Sequence, residues 1–374
     1  MRVGSKEDFA QRLLTRVLSD AHQHQQGAVG GWGGVEPLSP RQRAADMSMA
    51  LVNRAGLVRR GYSPDEAAAT LSLALQSADQ LVETEELLAD RASQELLMTL
   101  LSFRALGPRH VALPVSEKTF REGCKRVDRD LRVAENVLTG PHGAQLHRYE
   151  VPGRDGPVTL TGAAFLVHEF FGVEQYALRR DSLSVRAEPG DVVVDGGGGW
   201  GETALYFADA VGPDGHVLCF EFVPDNLEIV QLNLEHNPRL EKRIDVVPHP
   251  LWHTSGEAIE YGSNGGQSSL VTIGDVPRSE ARTESLDQLC LSREIDRIDF
   301  IKLDVEGAEM AALRGAEDTI RRCRPKLAVS VYHHPDDLTE IPAWIYGLDL
   351  GYSLHLDHLW PGVAETILFA RPPR

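Results

Sequence analysis

Covalent ties and positive charge are both scarce in this chain. Only four of its 374 residues are cysteine (Cys124, Cys219, Cys290 and Cys323), and no two stand at a metal-ligand spacing. A disulfide scaffold and a cysteine-built zinc site are therefore excluded, and reduced thiols in a cytoplasmic protein are expected. Lys and Arg number 38 against 55 Asp and Glu, a net charge of −17. Nucleic acid and anionic membranes both need a cationic surface, so neither is an expected partner, and a small molecule is. No apolar run approaches the roughly 18–20 residues that span a bilayer. Glu7 and Asp8 occupy the place where a signal peptide needs its apolar core. Glycine, by contrast, is plentiful: 34 residues, with an unbroken run at Gly196, Gly197, Gly198 and Gly199.

That run follows Asp191-Val192-Val193-Val194-Asp195 and precedes Trp200-Gly201-Glu202-Thr203-Ala204-Leu205. The pattern predicts a buried strand ending on a carboxylate, a sharp loop open to a ligand, and a helix packing back on the strand. A loop cradling a pyrophosphate needs no acid at its entrance. Asp195 stands at that entrance, which suits a cationic or zwitterionic ligand. The next strand, His216 to Glu221, ends on a second acid where a ribose-binding carboxylate is expected. Acids at two strand tips with glycines between them suit S-adenosylmethionine: Asp195 and the loop for the methionine end, Glu221 for both ribose hydroxyls. A nicotinamide-dependent oxidoreductase is the competing reading.

Two units are expected. Residues 1–105 read as helices (Asp8 to Ala21, Arg41 to Arg59, Ser63 to Ala78, Glu83 to Leu106) with no recognisable site. A lid or a dimer contact is their expected role, with a homodimer as the assembly. Residues 106–374 read as a Rossmann-like α/β domain. Val111 to Pro114 and Gln145 to Val151 are expected strands, with helices at Glu117 to Asp128 and Phe165 to Leu178. Beyond the glycine loop, strands are expected at Ile244 to Pro248, Ile298 to Asp304 and Leu327 to His333, alternating with helices. Tyr352 to Leu356 and Glu365 to Ala370 close the chain as an antiparallel hairpin at the sheet edge.

A second constellation lies at Asp304-Val305-Glu306-Gly307-Ala308-Glu309, where a strand becomes a helix. Ligands of open α/β sheets bind at the carboxyl ends of the strands, so Asp304 is expected to face the site. His333, at the tip of the following strand, is the expected base, with Asp304 orienting it or holding a divalent metal such as Mg²⁺. Glu306 and Glu309 also suit a helix's first turn, and His334 alternates away from His333. Asp336 and Asp337 read as the start of the next helix. Trp252, after the third strand, is placed to flank an adenine.

The runs Asp195 to Phe207, Phe220 to Asn226, Asp299 to Glu309 and Glu365 to Leu368 resemble the FkbM-type methyltransferases. The likeness covers roughly residues 173–370. It implies a class I methyltransferase fold with a seven-stranded sheet and an antiparallel edge strand. It also implies S-adenosylmethionine on Asp195, Gly197, Gly199 and Glu221, and often O-methylation of natural products or sugars. An amine acceptor, and a non-catalytic scaffold, remain open on the residues alone.

Overall fold

The computed structural model describes residues 5–27, 64–108, 110–180, 183–263, 268–269 and 278–373. The helix expected from Arg41 to Arg59 lies outside them. The central sheet is formed by β1 (Val192–Gly196), β2 (His216–Phe220), β3 (Ile244–Val247), β4 (Phe300–Leu303), β5 (Lys326–Ser330), β6 (Ser353–His358) and β7 (Thr366–Arg371). Its order is β6-β7-β5-β4-β1-β2-β3. Strands β1 to β5 run parallel, and β7 lies antiparallel between β5 and β6. The fold is thus the Rossmann-like sheet with the expected terminal hairpin.

Burial on both faces explains why these strands read as nearly unbroken apolar runs. Successive side chains point to opposite faces, and the two cores divide them accordingly. Val194, Ile301, Leu327 and Leu368 lie in one core, while Val193, Phe300, Ala328 and Phe369 lie in the other. Helices Glu202–Val211 and Pro224–Glu235 cover the second face, together with an antiparallel sheet of Arg132–Thr139, Gln145–Val151 and Val158–Gly162.

The N-terminal helices Lys6–Gly27, Ala78–Leu87 and Arg91–Leu106 supply Phe9, Leu13, Leu81 and Leu97 to the same core as β1, β4 and β6. Arg180 donates to Asp90 (3.2 Å) and Asp357 (3.2 Å), and Asp90 accepts Ser93 N–H (2.8 Å) as the N-cap of Arg91–Leu106. Ala89 N–H donates to Leu354 O (2.8 Å), covering part of the β6 edge.

Several expected elements are shorter or absent. Val111 to Pro114 is loop rather than strand. The helix expected over Phe165 to Leu178 is a single turn, Ala164–Val167, followed by a π-turn at His168–Gly172 and a short strand at Leu178–Arg180. Gly172 and the tight turn after it end the helical pattern early. The helix expected from Glu83 to Leu106 is broken at Leu88 to Asp90, where the backbone leaves the helix to pair with β6. The one expected from Ala308 to Arg321 is split into Glu309–Arg314 and Glu317–Cys323.

The strand order reverses between β1 and β4, which pair Gly196 with Leu303 at their carboxyl ends. The crevice of a doubly wound sheet opens at that point.

Candidate active site

On the β1 side, the glycine loop is held by buried charge. Asp195 is fully buried, accepts Thr203 Oγ1–H (2.7 Å), and lies 3.1 Å from Lys302 Nζ. Lys302, 1% exposed, also donates to Gly196 O (3.0 Å) and Gly197 O (2.5 Å). Burial opposes the ammonium, but the charges of Asp195 and Asp304 outweigh it and hold Lys302 charged. Burial likewise pushes the Asp195 carboxyl up, against the pull of Lys302. The β1–β4 register, with Lys302 opposite Asp195, creates the pair. Lys302 therefore ties the backbone of the loop to its entrance acid. A Cβ on Gly197, where φ is +84°, would lie 1.9 Å from Asp304 O, so no other residue fits there.

Glu221, at the tip of β2, accepts Phe222 N–H (2.7 Å) and Val223 N–H (2.8 Å) on one oxygen and Asn226 Nδ2–H (3.2 Å) on the other. Burial lifts it to about 7, against the pull of those N–H groups. Glu202, in the first turn after the loop, accepts Trp200 N–H (2.8 Å) and is also pushed up to about 7 by burial. Gly199 turns beside Glu202, in the left-handed region at φ +54°. Trp252 lies beyond β3. Its N–H donates to Glu284 O (2.8 Å), its ring centroid is 5.5 Å from that of His253, and its indole Nε1 is buried without a hydrogen-bond partner among the described residues.

Across the crevice, His333 stands among three carboxylates. Its Nδ1 is 2.9 Å from Glu309 Oε1, and its Nε2 is 3.5 Å from Glu306 Oε2 and 3.7 Å from Asp304 Oδ1. Neither ring nitrogen makes an aligned hydrogen bond among the described residues. Burial opposes a charged ring, but Glu306, Glu309 and Asp304 raise its pKa well above the usual histidine range. Burial works against ionised Asp304 too, yet Lys302, His333 and Tyr176 hold its carboxyl below the ordinary value. Glu306 takes a left-handed conformation (φ +55°), uncommon for a side chain with a Cβ, and this turns it toward the histidine. Glu309 Oε1 accepts Val305 N–H (2.9 Å), so the acid that closes the loop also faces the ring. His334 points elsewhere, with Nε2 3.1 Å from Gly307 O, and Asp337 begins helix Asp337–Gly347 while accepting His334 N–H (2.6 Å).

Sequence reasoning missed the groups behind this cluster. Tyr176 donates to Asp304 Oδ2 (2.8 Å), Tyr332 Oη lies near Asp304 Oδ1 (3.1 Å) and Glu365 Oε1 (3.0 Å), and Gln175 donates to Glu365 Oε2 (2.6 Å). Burial lifts Glu365 to about 8, and it lifts Glu169, on the π-turn, well above the carboxylate range. Lys302 did carry a signal, since a charge inside an apolar strand needs a buried partner. Glu365 opened one of the runs that resemble the family but carried no sign of a role, and Glu169 carried no signal at all.

Asp304, Glu309 and His333 each offer a ligand atom within 4.8 Å of the others, and Glu309 Oε2 is buried without a partner among the described residues. This donor set fits a divalent cation that accepts both carboxylate and imidazole.

A sheet of this order, with a glycine loop at its switch point and an acid closing the next strand, defines a class I methyltransferase fold. Residues 184–354 match the family model of the Methyltransferase FkbM domain, so the chain carries an FkbM methyltransferase domain over that stretch. A crystal structure of methyltransferase FkbM from Methylobacillus flagellatus KT is 18% identical over 80% of this chain, with a TM-score of 0.50. The match spans 60% of that chain's length. Weaker alignments join fibrillarin from Aeropyrum pernix, solved with natively bound S-adenosyl-L-methionine (14% identity, 64% of this chain, 100% of that one, TM-score 0.33). Another is a methyltransferase from Geobacter sulfurreducens (17% identity, 50% of this chain, 73% of that one, TM-score 0.31). No curated protein matches the chain. Among the described residues, no helix is long and apolar enough to cross a membrane.

Proposed function

We propose that the chain is an O-methyltransferase acting on a hydroxyl of a small molecule, a natural product or a sugar. One observation carries this reading. An imidazole with no aligned hydrogen bond stands among three carboxylates, two strands away from the glycine loop across β4. When bound, S-adenosylmethionine supplies an electrophilic methyl carbon whose thioether leaves without help from an acid. The protein must align an oxygen at about 3 Å and accept its proton. Glu221 holds the ribose hydroxyls. Asp195, Gly197 and Gly199 shape the methionine end, and Trp252 flanks the adenine. His333 takes the hydroxyl proton and Asp304 orients it. The three carboxylates favour the charged ring, so His333 must first release its proton to solvent. A like charge nearby, the sulfonium, favours that loss, and the neutral imidazole then takes the hydroxyl proton.

A second reading rests on the same cluster: Asp304, Glu309 and His333 would hold a divalent cation, which would acidify the acceptor hydroxyl. An amine acceptor would need less help from a base. The N-terminal helices form a homodimer contact in this proposal, with Leu14 and Leu18 exposed on Lys6–Gly27. Cytoplasmic residence belongs to the same reading.

Calorimetry with S-adenosylhomocysteine and with NADH tests the cofactor. Binding of the first and not the second is expected, and the reverse would overturn the assignment. Release of S-adenosylhomocysteine in the presence of hydroxylated and amino acceptors then tests the acceptor class.

A further inference from the structure

We propose that Glu365, which lies outside the matched family domain, is a protonated positioning residue that acts through Tyr332 to orient Asp304 toward His333. The inference rests on the methyltransferase reading and on a count of hydrogens. Tyr332 Oη lies 3.1 Å from Asp304 Oδ1 and 3.0 Å from Glu365 Oε1. One phenolic hydrogen cannot serve both carboxyl groups, and two bare oxygens at that distance repel. One carboxyl therefore holds a hydrogen of its own. Asp304 accepts Tyr176 O–H (2.8 Å) and lies 3.7 Å from His333 Nε2, so it is the ionised member. The hydrogen belongs to Glu365, which donates to Tyr332, which in turn donates to Asp304.

The surroundings agree. Gln175 donates to Glu365 Oε2 (2.6 Å), leaving Oε1 to hold the hydrogen. The groups facing Glu365 are Asp304 from β4, Tyr332 and His333 beyond β5, and Glu169 and Gln175 from the segment before β1. Two of these are carboxyls, so burial and like charge both favour the neutral acid. Glu365 also keeps a left-handed backbone (φ +61°), a strained conformation that holds the carboxyl against Tyr332. No proton leaves this chain during turnover. It fixes the direction of the Tyr332 hydroxyl and hence of the Asp304 lone pairs.

The test compares pH profiles of kcat for the full-length protein and its variants, with infrared spectroscopy as a direct readout. In the wild type, kcat falls as pH rises through about 8, where Glu365 ionises. Glu365→Gln retains a donor, keeps the rate at pH 7 within about 3-fold, and loses the alkaline fall. Glu365→Ala drops kcat by roughly 10–100-fold with S-adenosylhomocysteine affinity unchanged. In the infrared at pH 7, the difference spectrum of wild type minus Glu365→Gln carries the carbonyl stretch of one protonated acid, beyond the bands that Glu169, Glu202 and Glu221 contribute to both proteins. A difference spectrum without that band, or a Glu365→Gln profile with the same alkaline fall, would overturn the inference. Failure to bind S-adenosylhomocysteine would instead sink the methyltransferase reading and leave the infrared result standing.

Discussion

The two sides of the crevice are built on opposite principles. Around the glycine loop opposite charges and N–H donors face the acids. Asp195 pairs with Lys302 and accepts Thr203 O–H, its Oδ1 held by charge without an aligned hydrogen bond among the described residues, and Glu221 has two backbone N–H groups and Asn226. Around His333 the charges crowd one another, ring nitrogens lack aligned bonds, and two glutamates hold left-handed backbone. The first side is bound together by paired charges and hydrogen bonds. The second stores unsatisfied chemistry, which is where proton transfer is to be sought. Under the proposed function the difference separates binding, at the tips of β1 and β2, from catalysis, at the tips of β4 and β5, so that each can be damaged without the other.

The largest break in that comparison is His333→Ala. Turnover is expected to fall by roughly 10²–10⁴-fold with cofactor affinity nearly intact. Steady-state kinetics beside calorimetry would show it, and equal losses in both would erase the division of labour. Next comes Lys302→Met, which leaves Asp195 as an uncompensated buried charge. A loss of about 3–5 kcal/mol in unfolding free energy is expected in chemical denaturation. A wild-type stability would mean that the loop does not depend on the pair.

Glu221→Ala should sharpen the contrast from the other side. Under the proposed function it removes charged hydrogen bonds to the ribose, with an expected loss of about 1.5–3 kcal/mol or roughly 10–100-fold in S-adenosylhomocysteine affinity. Trapped single-turnover rates in that variant should stay near wild type, and a collapse there would place Glu221 in the chemistry. Smallest is Asp90→Ala, which deletes the cap of Arg91–Leu106 far from the crevice. It should cost about 1 kcal/mol of stability and leave kcat unchanged.

Much of the receptacle was legible before any coordinates. A strand ending on Asp195, four glycines and a helix form one local unit of the chain, and local units declare themselves through periodicity and turn chemistry. The terminal hairpin showed for the same reason. Lys302 was overlooked because a strand's alternation reveals its faces and not its register with a neighbour. The breaks at Leu88 to Asp90 and Gly315 were hidden because edge pairing and close backbone contact override helix propensity. Glu306 and Glu309 read equally well as helix-start acids, and only their approach to His333 tells them apart from that role.

By itself the sequence determined the chain order of the seven central strands, the glycine loop, and the carboxylates that close β1, β2 and β4, since each is written in a short contiguous stretch. Tertiary structure alone decided that Lys302 neutralises Asp195 and that His333 meets three acids. It also decided that Glu365, Tyr332 and Gln175 stand behind Asp304. Those meetings join residues up to 190 positions apart, as Gln175 and Glu365 are. The physical reason is that strand order and register, set by burying both faces of one sheet, bring distant side chains to a common rim.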